Sequence, residues 1–169
     1  MNTLKIIKIF KETISDGPGF RYSIYFSGCN HFCKGCHNPE TWKGNIGEEV
    51  DENYMQQIIS DINNNPLLDG ITLSGGDTFF NPTELLVFLK RLKAEVHMDI
   101  WVYTGYTFEV LMKDDTKKEC LEYIDTLVDG KFEDANANPE LFYRGSSNQR
   151  IINVVDSFEK NEIIERNFD

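Results

Sequence analysis

The sequence predicts an α/β fold: a mostly parallel sheet of about five or six strands with outer helices, curled into an open partial (β/α) barrel. Three observations lead there. Strand-like and helix-like patterns alternate along the chain with no low-complexity linker between them. The segments richest in glycine and cysteine fall directly after strand patterns, where the sites of parallel α/β sheets lie. The 169 residues are too few for a closed eight-fold barrel of ~250 residues. With 40% apolar content they are enough to bury one continuous core without disulfides, so residues 1–169 read as a single domain.

Each element follows from local chemistry. Leu4 to Phe10 alternates as an edge strand does, and Ser15-Asp16-Gly17-Pro18-Gly19 is a turn signal. Arg21 to Ser27, RYSIYFS, is dense in strand formers and runs straight into the first cysteine loop. Asp51 is placed to cap a helix from about Glu52 to Asn63, in which Met55, Ile58, Ile59 and Ile62 recur on one face before Pro66 forbids continuation. Gly70 to Ser74 is the next strand. Asn81-Pro82-Thr83-Glu84 then reads as N-cap, first-turn proline and capping acid of a helix through about Ala94. Asp99 to Thr104 is a strand, Thr107 caps a helix, and Asp125 to Asp129 and Arg150 to Val155 are strands. Ser157 opens a last short helix.

Charge and hydropathy exclude several classes. Seventeen Lys and Arg against 28 Asp and Glu give a net charge of −11, which argues against a surface that tracks nucleic-acid phosphates. No stretch approaches the ~20 apolar residues of a membrane span, and Met1 to Phe10 lacks the cationic-then-apolar order of a signal peptide. A cytoplasmic protein with no membrane partner is the expectation.

The most informative motif is CNHFCKGC, which sets Cys29, Cys33 and Cys36 in one loop and supplies no fourth thiol nearby. Three thiolates leave one iron of an iron-sulfur cluster open to an outside ligand, whereas a structural zinc or an electron-transfer cluster normally takes four protein ligands. A closed zinc site completed by His31, His37 or Cys120 is the competing reading. A disulfide framework fits poorly, with three thiols crowded and one remote. Cys120, within the helical pattern KKECLEYI, reads as a small buried side chain.

The triplet spacing resembles that of the radical S-adenosylmethionine (SAM) superfamily, and Ser74-Gly75-Gly76-Asp77 is similar to its glycine-glycine-acid motif, with Asp77 for the commoner glutamate and Thr78 where proline is frequent. Without the cysteines, a glycine pair after a strand is simply a tight turn. Beside them, the glycines would let backbone carbonyls approach the methionine amino group of SAM, and Asp77 would accept from it. Asp16-Gly17-Pro18-Gly19-x-Arg21, Phe26-x-Gly28-Cys29 and Cys36-His37-Asn38-Pro39-Glu40-Thr41-Trp42 resemble the activating enzymes of glycyl-radical enzymes. Trp101-x-x-Thr104-Gly105-Tyr106-Thr107, Leu127-Val128-Asp129-Gly130-x-Phe132 and Arg144-Gly145-Ser146-Ser147-Asn148-Gln149-Arg150 narrow this to the anaerobic ribonucleotide reductase activating proteins. By itself the last segment would be a polar loop entering a strand.

The resemblance implies a partial barrel, a 4Fe-4S cluster held by Cys29, Cys33 and Cys36, and SAM held near Gly35, Cys36, His37, Gly75, Gly76, Asp77 and Thr104. It implies reductive cleavage of SAM to a 5'-deoxyadenosyl radical that takes hydrogen from a glycine of the large anaerobic reductase subunit, with a reduced flavodoxin or ferredoxin as electron donor. No side-chain acid, base or nucleophile is required. Activation of another glycyl-radical enzyme, such as pyruvate formate-lyase, is the near alternative, and a non-enzymatic zinc or iron-sulfur module the distant one. Gly35 stands where many superfamily members carry an aromatic residue against adenine, which leaves that contact to be supplied elsewhere. Arg21, Lys34 and Lys43 lie around the cysteine loop and Arg144 and Arg150 flank the RGSSNQR loop; solvated surface explains part of this for the lysines, and the arginines are candidates to dock or orient the reductase or the SAM carboxylate.

Overall fold

The computed structural model describes residues 3–168; Met1, Asn2 and Asp169, which the sequence reading takes as part of the domain, lie outside the described residues. The chain runs β1 (Lys5–Thr13), β2 (Arg21–Phe26), β3 (Glu48–Glu49), α1 (Glu52–Asn63), β4 (Gly70–Gly75), α2 (Pro82–Glu95), β5 (Asp99–Tyr103), α3 (Phe108–Leu111), α4 (Asp115–Leu121), β6 (Thr126–Asp129), β7 (Arg150–Asn153) and α5 (Val154–Lys160). Among the described residues seven strands form one sheet in the order β3-β1-β2-β4-β5-β6-β7. The β2-β4-β5-β6 ladder is parallel, while β1 and β7 flank it antiparallel.

Side-chain alternation sorts the sheet into two faces. Ile24, Ile71, Leu73, Ile100, Val102, Leu127 and Ile152 belong to one core, to which all five helices contribute: Ile58 and Ile62 of α1, Leu85 and Leu89 of α2, Leu111 of α3, Leu121 of α4 and Val154 of α5. The intervening residues Trp101, Val128 and Ile151 form a smaller cluster with Tyr103, Tyr143 and Phe168. The helices therefore cover a single face, and loops cover the other. Burying one such aliphatic side chain contributes about 1.5–3 kcal/mol, so the helical layer fixes the sheet and the loops are left to carry chemistry.

Several boundaries depart from expectation. Seven strands form rather than about five or six, because Glu48–Glu49 pairs with Lys5 and Ile6 at the sheet edge, a two-residue strand with no alternation to announce it. Asn81 opens α2 through its carbonyl, not its side chain, which donates to the Thr3 carbonyl at 3.2 Å. The strand expected to reach Val155 stops at Asn153, whose side chain accepts from Asp156 N at 3.0 Å and starts α5 three residues before Ser157. Asp51 and Thr107 cap as expected, accepting from Tyr54 N and Val110 N. No helix among the described residues is long and apolar enough to cross a membrane.

Candidate cofactor site

The parallel register brings the expected site segments to one rim. Phe26 pairs with Gly75, Leu73 with Val102 and Tyr103 with Val128, so β2, β4, β5 and β6 end side by side. The loops that follow are sewn together by backbone bonds. Gly76 N donates to Phe26 O at 2.9 Å, Asp77 N to Gly28 O at 2.7 Å and Thr104 N to Val128 O at 3.0 Å.

Gly28 is the hinge into the cysteine loop. Its φ of +101° is open to glycine, and an added Cβ would lie 2.1 Å from the Phe80 ring. Its N–H donates to Thr41 O at 2.6 Å, so the 3-10 turn Pro39–Trp42 returns beside the start of the loop. Between these anchors, Cys36 N donates to Cys33 O at 3.1 Å. Two sulfurs accept backbone N–H groups, Cys29 Sγ from His31 at 3.5 Å and Cys36 Sγ from Asn38 at 3.4 Å. Cys29 is buried, Cys33 and Cys36 are half-buried, and burial raises the pKa of Cys29 and Cys33 above the ordinary thiol value.

All three thiols line one cavity of about 430 Å³. His37, Gly75, Gly76 and Thr104 share its wall, so seven of the nine expected site residues meet there; Gly35, exposed next to Cys36 in the chain, and Asp77 are the two that do not line it. The donor set fits a cluster with an open iron. Three thiols share the cavity and the fourth is in a helix elsewhere, which leaves three thiolate donors at this site. The glycine pair has a packing reason of its own: a Cβ on Gly75 or Gly76 would sit 2.3 Å from the Phe26 backbone or the Gly28 carbonyl.

Asp77 stands behind the cavity wall, not among the residues that line it. Only 2% exposed, its carboxylate already accepts from Phe79 N, Gly105 N, the Thr104 hydroxyl and the His31 ring, at 2.6–3.1 Å. Both oxygens accept from protein donors, so the carboxylate braces the wall.

The arginines are redistributed as well. Arg21 is buried, bonded to Thr72, the Pro18 and Ile71 carbonyls and Asp99. Arg150 grips Asp129 and Glu109 bidentately, at 2.6–3.0 Å, and holds the Glu109 carboxyl below its usual range. Arg150 keeps part of its side chain at the surface. Lys34 and Lys43 are exposed, and Arg144 lines the cavity while donating to Gln149 O at 2.7 Å. The rest of that loop is self-bonded. The Gln149 side chain accepts from Gly145 N and Ser146 N and donates to Gly130 O, which ties it to the end of β6.

Sequence reasoning missed the aromatic lining. Phe132, Tyr25, Tyr103 and Tyr143 border the cavity, and the His37 and Phe132 rings lie 5.3 Å apart. Tyr25 and Tyr103 were legible only as inward positions of alternating strands. Phe132 comes from a loop with no period to read.

The chain matches the family model of the 4Fe-4S single cluster domain over residues 15–152. It is 40% identical over 152 residues to the anaerobic ribonucleoside-triphosphate reductase-activating protein of Pasteurella multocida (strain Pm70), covering 88% of this chain and 96% of that one. The like-named protein of Escherichia coli (strain K12) is 41% identical over 140 residues, 80% of this chain and 90% of the relative. That of Enterobacteria phage T4 is 34% identical over 158 residues, 92% and 97%.

Proposed function

We propose that this chain, which belongs to the family of the anaerobic ribonucleoside-triphosphate reductase-activating proteins and carries the 4Fe-4S single cluster domain, is a radical SAM activase working as one domain over residues 1–169. When bound, the cluster supplies the electron that cleaves SAM reductively, giving methionine and a 5'-deoxyadenosyl radical that takes a hydrogen atom from a glycine of the large reductase subunit and leaves a glycyl radical there.

The carrying observation is the meeting of three thiols from one loop with the glycine pair and Thr104 in a single cavity at the strand ends. On this reading the sheet is an open partial (β/α) barrel whose helix-free face holds the cofactors. Cys29, Cys33 and Cys36 hold three irons. Gly35, Cys36 and His37 border SAM on one side, Gly75, Gly76 and Thr104 on the other, and Asp77 serves the site from behind. Phe132 with His37 offers the aromatic surface that Gly35 does not. The protein's work is to orient and to exclude side reactions, which needs no side-chain acid or base. Its setting is the cytoplasm, with a reduced flavodoxin or ferredoxin as donor.

Anaerobic reconstitution followed by dithionite tests this reading. The expected result is a brown protein with matched iron and sulfide that cleaves SAM and raises a glycyl-radical electron paramagnetic resonance signal on the anaerobic reductase. A colourless zinc protein would remove the radical reading. Activation of another glycyl-radical enzyme with none of any ribonucleotide reductase would reassign the partner.

A further inference from the structure

The cysteine loop has little to hold it. From Gly28 to Asn38 it contains no helix or strand, and its backbone bonds to the rest of the chain gather near its ends: Gly28 and Cys29 donate to the Thr41 and Trp42 carbonyls, Gly28 O accepts from Asp77 N, and Asn38 O accepts from Thr41 N. The side chain of His31 makes a buried hydrogen bond across to the rim. The His31 Nε2 lies 2.6 Å from Asp77 Oδ2, with the two side chains 8% and 2% exposed. The ring is boxed in. Tyr106 meets it edge-on at 4.6 Å between centroids, and a Cβ at position 105 would lie 2.6 Å from its Cδ2, so glycine is what leaves room for the ring.

On the other side of that bond, Asp77 gathers the neighbouring loops. It accepts from Phe79 N at 2.8 Å within its own loop, and from Thr104 Oγ1 at 2.9 Å and Gly105 N at 2.8 Å in the loop after β5. One buried carboxylate thus joins the loops that follow β2, β4 and β5. His31 lies between Cys29 and Cys33 in sequence, and its own N–H donates to Cys29 Sγ at 3.5 Å. Fixing the ring therefore fixes the direction in which the first sulfur points.

We propose that the His31–Asp77 pair is the positioning latch of the cysteine loop, setting the thiols against the glycine-pair wall, and that Asp77 acts through His31 instead of as a ligand of SAM. This rests on the cluster-and-SAM reading of the cavity for its purpose but not for its mechanical part. A buried hydrogen bond to a carboxylate holds more firmly than one between neutral groups, and removing outer partners of a metal site typically costs about 10- to 100-fold in metal affinity. The latch also explains why a carboxylate is required here: four protein donors converge on it, and an amide would turn a donor toward them.

The test uses His31→Ala, His31→Gln, Asp77→Asn and the His31→Ala/Asp77→Asn double variant. On the apo-protein, hydrogen exchange of the amides between residues 29 and 38 should accelerate in His31→Ala and Asp77→Asn. In the double variant it should go no further than in either single one, the non-additivity expected of one shared bond. His31→Gln, which keeps a donor on a comparable reach, should recover most of the protection. On the reconstituted protein, a chelator should strip iron about 10- to 100-fold faster from the two single variants. Exchange that is additive, or wild-type in His31→Ala, overturns the latch; so does an Asp77→Asn variant that loses SAM affinity while His31→Ala keeps both iron and SAM. Because exchange is read without cofactors, a wild-type protein that takes up no cluster would defeat the functional reading while leaving the latch to stand or fall by exchange.

Discussion

Cys29, Cys33 and Cys36 share their chemistry with Cys120 but not their setting. Cys120 sits in α4 at 0% exposure, packed in the main core, with its Sγ 3.5 Å from the Pro82 carbonyl at the start of α2. Burial pushes its pKa up to about 12. Burial raises Cys29 and Cys33 as well, so a raised pKa alone does not tell a ligand from a packing residue. What separates them is the backbone. In the loop, amides are free of helical bonds and turn toward sulfur, and a cavity opens in front of the thiols. In α4, the amides belong to the helix and the thiol fills a gap between two elements.

The largest expected effect breaks this comparison outright if it fails. Replacing Cys29, Cys33 or Cys36 by Ala should abolish iron retention after anaerobic reconstitution and gel filtration. Cys120→Ala should keep the wild-type iron and sulfide content and lose only about 1 kcal/mol of stability from the vacated core volume. Iron loss from Cys120→Ala equal to that of the other three would restore a four-ligand site.

Much of this was readable before any coordinates. The triplet and the glycine pair follow strand patterns, where sites of parallel sheets lie, and the register brings both to one rim with the Thr104-Gly105 turn. Which groups face the cavity was not readable, because that depends on partners far away in sequence. Asp77 bonds to His31, 46 positions away, and to Thr104, 27 away, and neither partner is marked in the local pattern. Arg150 pairs with Glu109, 41 positions away, and with Asp129, 21 away, and the local pattern announces neither bond. Local pattern reports backbone preference and one buried face; it carries no information on long-range polar pairing. The edge strand Glu48–Glu49 escaped for a related reason, since two residues give no alternation to count.

An intermediate effect sharpens the contrast at Arg150. Asp129 is 0% exposed and depends on Arg150 and Phe108 N for its bonds. Arg150→Ala leaves a buried carboxylate without its countercharge, and breaking such a pair costs about 3–5 kcal/mol. That is a large part of the roughly 5–15 kcal/mol available to a domain. Denaturant unfolding of the apo-protein should show the loss, with Arg150→Lys recovering part of it through charge but not the bidentate grip. Near-wild-type stability with loss of reductase activation alone would return Arg150 to the partner surface.

The smallest effect leaves fold and cluster untouched and asks only which thiols react. The thiolate is the nucleophile, and it accumulates as pH rises through the pKa. Raising the Cys120 pKa from 9.0 to about 12 therefore cuts its thiolate fraction at pH 8 by roughly a thousandfold, before its burial is counted. Cys29 and Cys33 are raised too, yet they face a cavity, and the first adduct there should open the loop to the next. Iodoacetamide on the native apo-protein at pH 8 should give up to three adducts by mass spectrometry, all mapping to the peptide spanning residues 29–36. Cys120 should label only once denaturant is added. Labelling of Cys120 in the native protein at a rate like that of the loop thiols would show that α4 opens from α2 as readily as the loop moves, and the two settings would then differ in position alone.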